Sequence, residues 1–149
     1  MDAKAAALEK LDSIRASIAD LSHKIHANPE LGFEEVKASA WISDLLSEEG
    51  FDVKTGICEI PTAFLAKTGS GPLNVCICAE YDALPGIGHA CGHNIIAAAA
   101  AGAGSPQPEQ PMRSGFRLRY WARLRKKAAM PAERFSSWNV EPSPACMPP

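Results

Sequence analysis

The sequence has no long apolar run and no leader-like segment. No stretch approaches the roughly 20 consecutive apolar residues that a membrane-spanning helix needs. Residues 1–4 lead directly into a helical pattern rather than into the apolar core of a signal peptide. We therefore expect a cytoplasmic protein without a membrane partner.

The sequence also lacks the pattern of a disulfide framework. Its five cysteines are odd in number and irregularly spaced, so we expect reduced thiols. The 149 residues suit one ordinary domain, with 46% hydrophobic and 21% charged residues. The net charge of −2 selects no partner.

Acidic residues are absent from residues 113–127, which carry seven basic side chains. These are Arg113, Arg117, Arg119, Arg123, Arg125, Lys126 and Lys127. Up to about Gly104 the chain is instead mildly acidic and periodic, and three prolines at 106, 108 and 111 would stop a helix between the two parts. We therefore divide the chain into a folded part, residues 1–104, and a basic, proline-rich tail, residues 105–149, that is disordered or non-native.

The tail has a functional interpretation of its own. Phe116, Tyr120 and Trp121 are interleaved with the basic residues, a pattern typical of segments that bind nucleic acid or anionic membranes. Its apolar stripe is short, and Pro131 ends it. A basic binding module is therefore the alternative function. The preferred interpretation is that the chain binds no nucleic acid.

The folded part has the pattern of an α/β protein. Helices are predicted over residues 4–27, 34–49 and 92–103, and strands over 51–55, 62–67 and 73–78. The first helix carries an apolar stripe of Leu8, Leu11, Ile14, Ile18, Leu21 and Ile25. In the last strand, apolar residues alternate with Cys76 and Cys78, which bury readily, so we expect a central strand covered on both faces.

Between this strand and the last helix, the sequence AEYDALPGIGHACGHN (79–94) concentrates ionisable side chains. A thiolate and an imidazole are good ligands for zinc and similar metals, so Cys91 and His93 are candidate metal ligands. A half-buried thiol beside a hydrogen-bonded histidine is the ordinary alternative. Glu80 and Asp82 supply carboxylates that ligate the metal or orient its ligands.

Other polar residues have simpler interpretations. His89 is a hydrogen-bond partner of a metal ligand, a substrate contact or a polar loop residue. Asn94 is expected to cap the last helix. His23 and His26 are expected at the surface or the end of the first helix.

Two stretches, HANPELGFEE (26–35) and AEYDALPGIGHACGHN (79–94), resemble the start of the di-metal aminoacylase/carboxypeptidase-type amidohydrolases, a large metallopeptidase family. The second stretch is most similar to the β-alanyl-type dipeptidase branch. The resemblance extends from residue 1 to about residue 103. It implies the N-terminal part of a three-layer, di-zinc peptidase-type catalytic domain, truncated in this chain.

The resemblance also implies a site and an activity. Cys91 and His93 would be ligands of a divalent metal, zinc or alternatively manganese or cobalt, with Asp82 in support and Glu80 and His89 as candidate contacts to the ligands. The family hydrolyses an amide bond of an N-acyl amino acid or a dipeptide, with metal-activated water and a glutamate base. Full-length relatives are expected to be homodimers.

The expected glutamate base is absent from this chain. The family carries it in an adjacent glutamate pair, usually within Gly-Thr-Pro-Ala-Glu-Glu-Gly-Gly, and places further ligands much later. No adjacent glutamate pair follows Cys91, and no histidine follows His93. We therefore expect no catalytic residue in this chain and no activity.

The tail contains the missing motif in another reading frame. The codons of Tyr120, Trp121 and Ala122, read from their third bases, give leucine and glycine whatever the codon choice. The same frame permits threonine, proline, alanine, two glutamates and two glycines in order through Ala129. We interpret residues 105–149 as the product of a frameshift near Gly104.

Overall fold

The computed structural model describes residues 3–69, 73–105 and, by backbone alone, 116–122. Its elements are helices α1 (Ala3–Ala27), α2 (Val36–Glu48) and α3 (His93–Ala103), strands β1 (Asp52–Thr55), β2 (Phe64–Thr68), β3 (Leu73–Ala79) and β4 (Phe116–Ala122), and a 3-10 turn, Ile57–Glu59. All six predicted helices and strands are present. Pro29 follows α1 and Gly50, with a positive φ of 84°, follows α2, as their turn chemistry predicts.

The four strands form one mixed sheet in the order β1-β2-β4-β3. Strand β3 pairs parallel with β4, whereas β2 pairs antiparallel with both β1 and β4. Residues Phe116–Ala122, which the sequence assigns to the tail, thus run through the middle of the sheet. The rest of the tail lies outside the described residues, apart from Ser105.

The core lies between the helices and the sheet. Ile25 of α1, Ile42 and Leu46 of α2 and Phe64 of β2 are fully buried. Helix α3 contributes alanines, and a Cβ atom on its Gly102 would lie 2.5 Å from Ile18 Cδ1. The small residues of α3 therefore allow α1 to pack closely against it.

The N-terminal half of α1 departs from the predicted stripe. Leu8 and Leu11 are 53% and 42% exposed, while Leu21 and Ile25 are buried. The core begins at Ile14, so the first three turns of α1 extend past it.

The prediction for the strand over residues 73–78 is wrong in its position. Strand β3 is at the edge of the described sheet, Val75 is 39% exposed, and Cys76 and Cys78 are exposed. The apolar composition matches a strand covered on both faces. Among the described residues, however, no element covers the face of β3 that carries Cys76 and Cys78.

The cysteines follow the expectation of reduced thiols only in part. Cys78 and Cys91 are free thiols, whereas Cys58 is disulfide-bonded, which overturns the expectation at that position. In the described part of the chain, no helix combines the length and the apolar character needed to cross a membrane.

Candidate metal centre

The chemistry predicted from residues 79–94 lies in a tight loop between the carboxyl end of β3 and the start of α3. The loop closes on itself because the Leu84 N–H donates to the Gly88 carbonyl at 2.8 Å and the Gly88 N–H donates back at 3.1 Å. Gly92 adopts a left-handed φ of 74°, which turns the chain sharply into the helix. His93 is therefore the first residue of α3, at the end of the sheet where α/β proteins commonly bind ligands.

The two sequence stretches that carry the family resemblance pair with each other. The Ala83 N–H donates to the Glu30 carbonyl at 2.7 Å, and Leu31 forms a parallel bridge with Ala83. The Glu30 side chain accepts hydrogen bonds from the Lys37 and Ala38 N–H groups at 3.0 and 2.9 Å, at the start of α2. Glu30 thus joins α2 to the site loop, a contact that sequence reasoning missed because no local pattern signals it.

His93 is held by the two carboxylates that leave β3. Its Nδ1 lies 2.8 Å from both the carbonyl oxygen and Oδ1 of Asp82, and its Nε2 lies 3.5 Å from Glu80 Oε2. Both Asp82 atoms are acceptors, so Nδ1 carries the ring proton when the imidazole is neutral. The lone pair of Nε2 then points to the side of Glu80, and the ring is oriented as metal-binding histidines commonly are.

Cys91 lies two residues before His93 and is exposed. Within residues 3–69 and 73–105, no group of three or more His, Cys, Asp or Glu side chains is placed to hold a metal ion. The donor chemistry of Cys91, His93 and Glu80 fits a divalent metal, but the described residues fall short of the three protein ligands of an ordinary catalytic zinc site. The structure brings Glu80, Asp82 and His93 together.

His89 is buried, unlike a solvated loop residue. Neither ring nitrogen has a hydrogen-bond partner among the described residues, and the ring centroid lies 6.3 Å from that of His26. Burial lowers the pKa of His89, and the charges of His26 and His93 lower it further. His26 itself is exposed at the end of α1, and His23 is exposed on the same helix, as predicted.

The prediction that Asn94 caps α3 is wrong. Gly92 is the N-cap residue and no side chain caps the helix. Asn94 is buried, and its Nδ2 donates to Ser22 Oγ at 3.0 Å. Asn94 therefore fixes α3 to α1, because its position one residue inside the helix directs the side chain to the neighbouring helix instead of the helix end.

The buried carboxyl group of Glu35 is connected to the site loop through hydrogen bonds. Thr62 Oγ1 donates to Glu35 Oε2 at 3.0 Å, and the Tyr81 hydroxyl donates to the Thr62 carbonyl at 2.6 Å. Glu35 is fully buried, its Oε1 has no partner among the described residues, and burial raises its pKa. Through Thr62, this network fixes Tyr81, the residue between Glu80 and Asp82.

Replacing this carboxyl isolates its effect on stability. The pKa of Glu35 is higher in the folded state than in the unfolded state, so the fold favours the protonated carboxyl. The stability that this protonated form contributes is fully present below the unfolded pKa and is lost as pH rises through the folded pKa. Glu35→Gln keeps an acceptor for Thr62 and removes the charge, so we expect it to raise the free energy of unfolding at neutral pH and to lose this advantage toward pH 4. Urea denaturation of both proteins across this range measures the difference, and a difference independent of pH would contradict the assignment.

Known proteins with a similar sequence are hydrolases of amide bonds. The chain is 30% identical over 109 residues to a p-aminobenzoyl-glutamate hydrolase polypeptide of Escherichia coli, an alignment that covers 62% of this chain and 23% of that polypeptide. It is 33% identical over 127 residues to the human Xaa-Arg dipeptidase, covering 70% of this chain and 29% of the dipeptidase. The chain thus spans about a quarter of the length of these curated relatives.

The fold agrees with these similarities. A dinuclear metal-binding peptidase of the M20 family from Bacillus subtilis superimposes with a TM-score of 0.68 at 22% identity, over 76% of this chain and 36% of that chain. No family model matches the chain. The sequence relatives and the shared fold together show that this chain resembles the N-terminal portion of the M20-type metallopeptidases and amidohydrolases.

Proposed function

We propose that this sequence derives from a metal-dependent amidohydrolase and keeps one half of its metal site, with Cys91 and His93 as the ligands. The observation that carries the proposal is the position of His93, whose Nδ1 is 2.8 Å from Asp82 Oδ1 while Nε2 faces Glu80. Asp82 holds the proton on Nδ1 and thereby keeps Nε2 available as a ligand. A divalent metal, zinc in our proposal, would polarise an amide carbonyl and supply a water that ionises near neutral pH.

The substrate class follows from the relatives. Their names describe a p-aminobenzoyl-glutamate hydrolase, a dipeptidase and a hippurate hydrolase, and each name specifies an amide bond next to an amino acid. We propose the same bond class, an N-acyl amino acid or a dipeptide, for the ancestral activity. A cytoplasmic location and a homodimeric full-length protein belong to the same proposal.

The 149-residue chain itself is proposed to be inactive. Its described residues provide no group of three metal ligands, and its tail contains no adjacent glutamates that supply the general base. The shifted frame places that pair just beyond Ala122, which ends β4 opposite Ala79 at the end of β3. This register supports the proposal, because the carboxyl end of β4 lies beside that of β3, which Glu80 and Asp82 follow.

The weak half-site is testable with cobalt, whose absorption spectrum reports thiolate ligation. We expect Co²⁺ titration to develop a thiolate-to-metal band that Cys91→Ser abolishes. Asp82→Ala should weaken binding by about 10- to 100-fold, since it removes the carboxylate that accepts from His93 Nδ1 and orients the ring. His23→Ala, at an exposed histidine on α1, is the matched control and should leave the titration unchanged.

An unchanged thiolate band in the Cys91→Ser protein would refute the ligand assignment. A loss of binding in the His23→Ala control would show that histidines bind cobalt non-specifically in this chain. The alternative function, a basic binding module, stays a prediction because residues 113–127 are described only in part. A salt-dependent shift of a labelled oligonucleotide by the chain would support it.

A further inference from the structure

Glu80 and Asp82 lie in a short segment that follows the sheet and is not part of it. Strand β3 ends at Ala79, and the next three residues belong to no helix or strand. The Ala83 N–H then donates to a backbone carbonyl of the HANPELGFEE stretch at 2.7 Å. The positions of the two carboxylates therefore depend on what holds the segment between these two ends.

Tyr81, the middle residue of this segment, is anchored in the core. It is 2% exposed, and its ring stacks on Phe64 with the ring centroids 6.0 Å apart. Its hydroxyl donates to the Thr62 carbonyl at 2.6 Å and is also hydrogen-bonded to the side chain of Ser39. Tyr81 is thus held at once by β2, by the turn that precedes β2 and by α2.

This anchor constrains the two neighbouring carboxylates. Successive side chains of an extended chain point to opposite sides. Burial follows this alternation, since Tyr81 is buried while Glu80 and Asp82 on either side of it are partly exposed. Holding the Tyr81 side chain in the core therefore directs both carboxylates to the opposite side, where Asp82 Oδ1 lies 2.8 Å from His93 Nδ1.

The Tyr81 hydroxyl is suited to a permanent structural bond. Burial raises the pKa of Tyr81 and outweighs the opposing effect of the Ser39 hydrogen bond, so the hydroxyl keeps its proton at neutral pH. Its acceptor is also shielded from water, because Thr62 is only 3% exposed. Loss of the hydroxyl would leave the Thr62 carbonyl buried without this donor, a state that favours rearrangement of the segment.

We propose that Tyr81 is a positioning residue of the candidate metal site, acting through Glu80 and Asp82 to orient His93. The inference rests on the proposed function, because the side chains that Tyr81 orients are those assigned to the metal centre. All the contacts involved lie before residue 94, so the inference is independent of the reading frame of the tail.

Tyr81→Phe isolates the hydroxyl, because it keeps the ring that stacks on Phe64. We expect the segment to rearrange and the hydrogen bond between Asp82 and His93 to weaken. Nitrogen-15 NMR of the neutral His93 ring measures this directly, since it distinguishes a protonated from an unprotonated Nδ1. The unchanged chain should keep the proton on Nδ1, and Tyr81→Phe should raise the fraction with the proton on Nε2 by about three- to tenfold.

Cobalt titration of the same proteins connects this change to metal binding. Tyr81→Phe should weaken Co²⁺ binding by about tenfold, as changes to groups that orient metal ligands commonly do. Ile14→Val is the matched control, because Ile14 is 6% exposed on α1 and losing one buried methyl group destabilises a fold about as much as losing one hydrogen bond. The control should leave both the His93 tautomer and the cobalt affinity unchanged.

Ser39→Ala keeps the proposal testable if Tyr81→Phe fails to fold. It removes only the second hydrogen bond of the Tyr81 hydroxyl and should shift the His93 tautomer in the same direction by a smaller factor. A tautomer that is unchanged in every folded variant, or that shifts equally in Ile14→Val, would overturn the proposal. A shifted tautomer in a chain that binds no cobalt would uphold the positioning role and refute the metal assignment instead.

Discussion

Returning the codons after Gly104 to the alternative frame is expected to produce metal-dependent amide hydrolysis, which we propose the 149-residue chain lacks. The physical reason is that the shifted frame supplies the adjacent glutamates, and with them a carboxylate base, that the tail of this chain lacks. A general base contributes about 10²- to 10⁴-fold to a rate, and an incomplete zinc site loses more. Hydrolysis of an N-acyl amino acid and of a dipeptide, each with added zinc, manganese or cobalt, measures the effect.

Two variants of the frame-restored gene serve as controls for this prediction. Cys91→Ser should abolish the restored activity, whereas His23→Ala should keep it, because only Cys91 is assigned to the metal. Metal-dependent turnover by the original chain that Cys91→Ser removes would contradict the proposed inactivity. A folded, frame-restored protein that binds no metal would contradict the ancestry proposed for the site.

Phe64→Ala is expected to destabilise the fold more than any other single truncation proposed for this chain. Phe64 is fully buried in β2, and its ring stacks on Tyr81 with centroids 6.0 Å apart. Replacing a buried phenylalanine by alanine costs about 3–5 kcal/mol, a large share of the roughly 5–15 kcal/mol that stabilises a whole domain. Urea denaturation followed by circular dichroism should show a transition moved to much lower urea, or no cooperative transition at all.

Leu8→Ala is the control for this substitution, because Leu8 is 53% exposed on α1 and lies outside the core. It should change the free energy of unfolding by no more than about 0.5 kcal/mol. Equal effects of the two substitutions would mean that Phe64 is not part of a packed core. Loss of the Phe64 ring also removes the support of Tyr81, so cobalt binding should weaken together with stability.

The elements of the folded part are predictable because their signals are local. Pro29 and Gly50 mark helix ends, and the change from helical to alternating periodicity separates α2 from the strands. The loop chemistry around His93 is equally visible, since Glu80, Asp82, Cys91 and His93 fall within fourteen positions. Local sequence therefore predicts both the helices and strands and most of the candidate site.

Contacts between distant segments are not predictable in this way. Three contacts illustrate this. They are the pairing of Ala83 with Glu30, 53 positions apart, and the Glu35–Thr62 and Asn94–Ser22 hydrogen bonds, 27 and 72 positions apart. Each depends on how the helices and the sheet come together, which a local pattern does not specify. The motif HANPELGFEE is explained only by these contacts, because Glu30 and Glu35 support the site loop without belonging to it.

The error at β3 has a different physical origin. Its composition is that of a strand covered on both faces, and the expectation of a central position follows from composition alone. Among the described residues, β3 has a strand neighbour on one side only, which is why its side chains are more exposed than its composition suggests. Sequence thus indicates the environment to which a strand is adapted, while the observed exposure depends on which other strands are present.

The nucleotide sequence of codons 104 to 130 tests the central proposal most directly, namely that the second half of the metal site is encoded out of frame. The account predicts that Arg125 and Lys126 both have codons ending in G, so that the shifted frame contains two adjacent glutamate codons. It also predicts two glycine codons directly after the glutamate codons, so that the shifted frame encodes Gly-Thr-Pro-Ala-Glu-Glu-Gly-Gly. A codon ending in A, C or T at Arg125, or in A at Lys126, would contradict the account, because the shifted frame would then contain no glutamate pair.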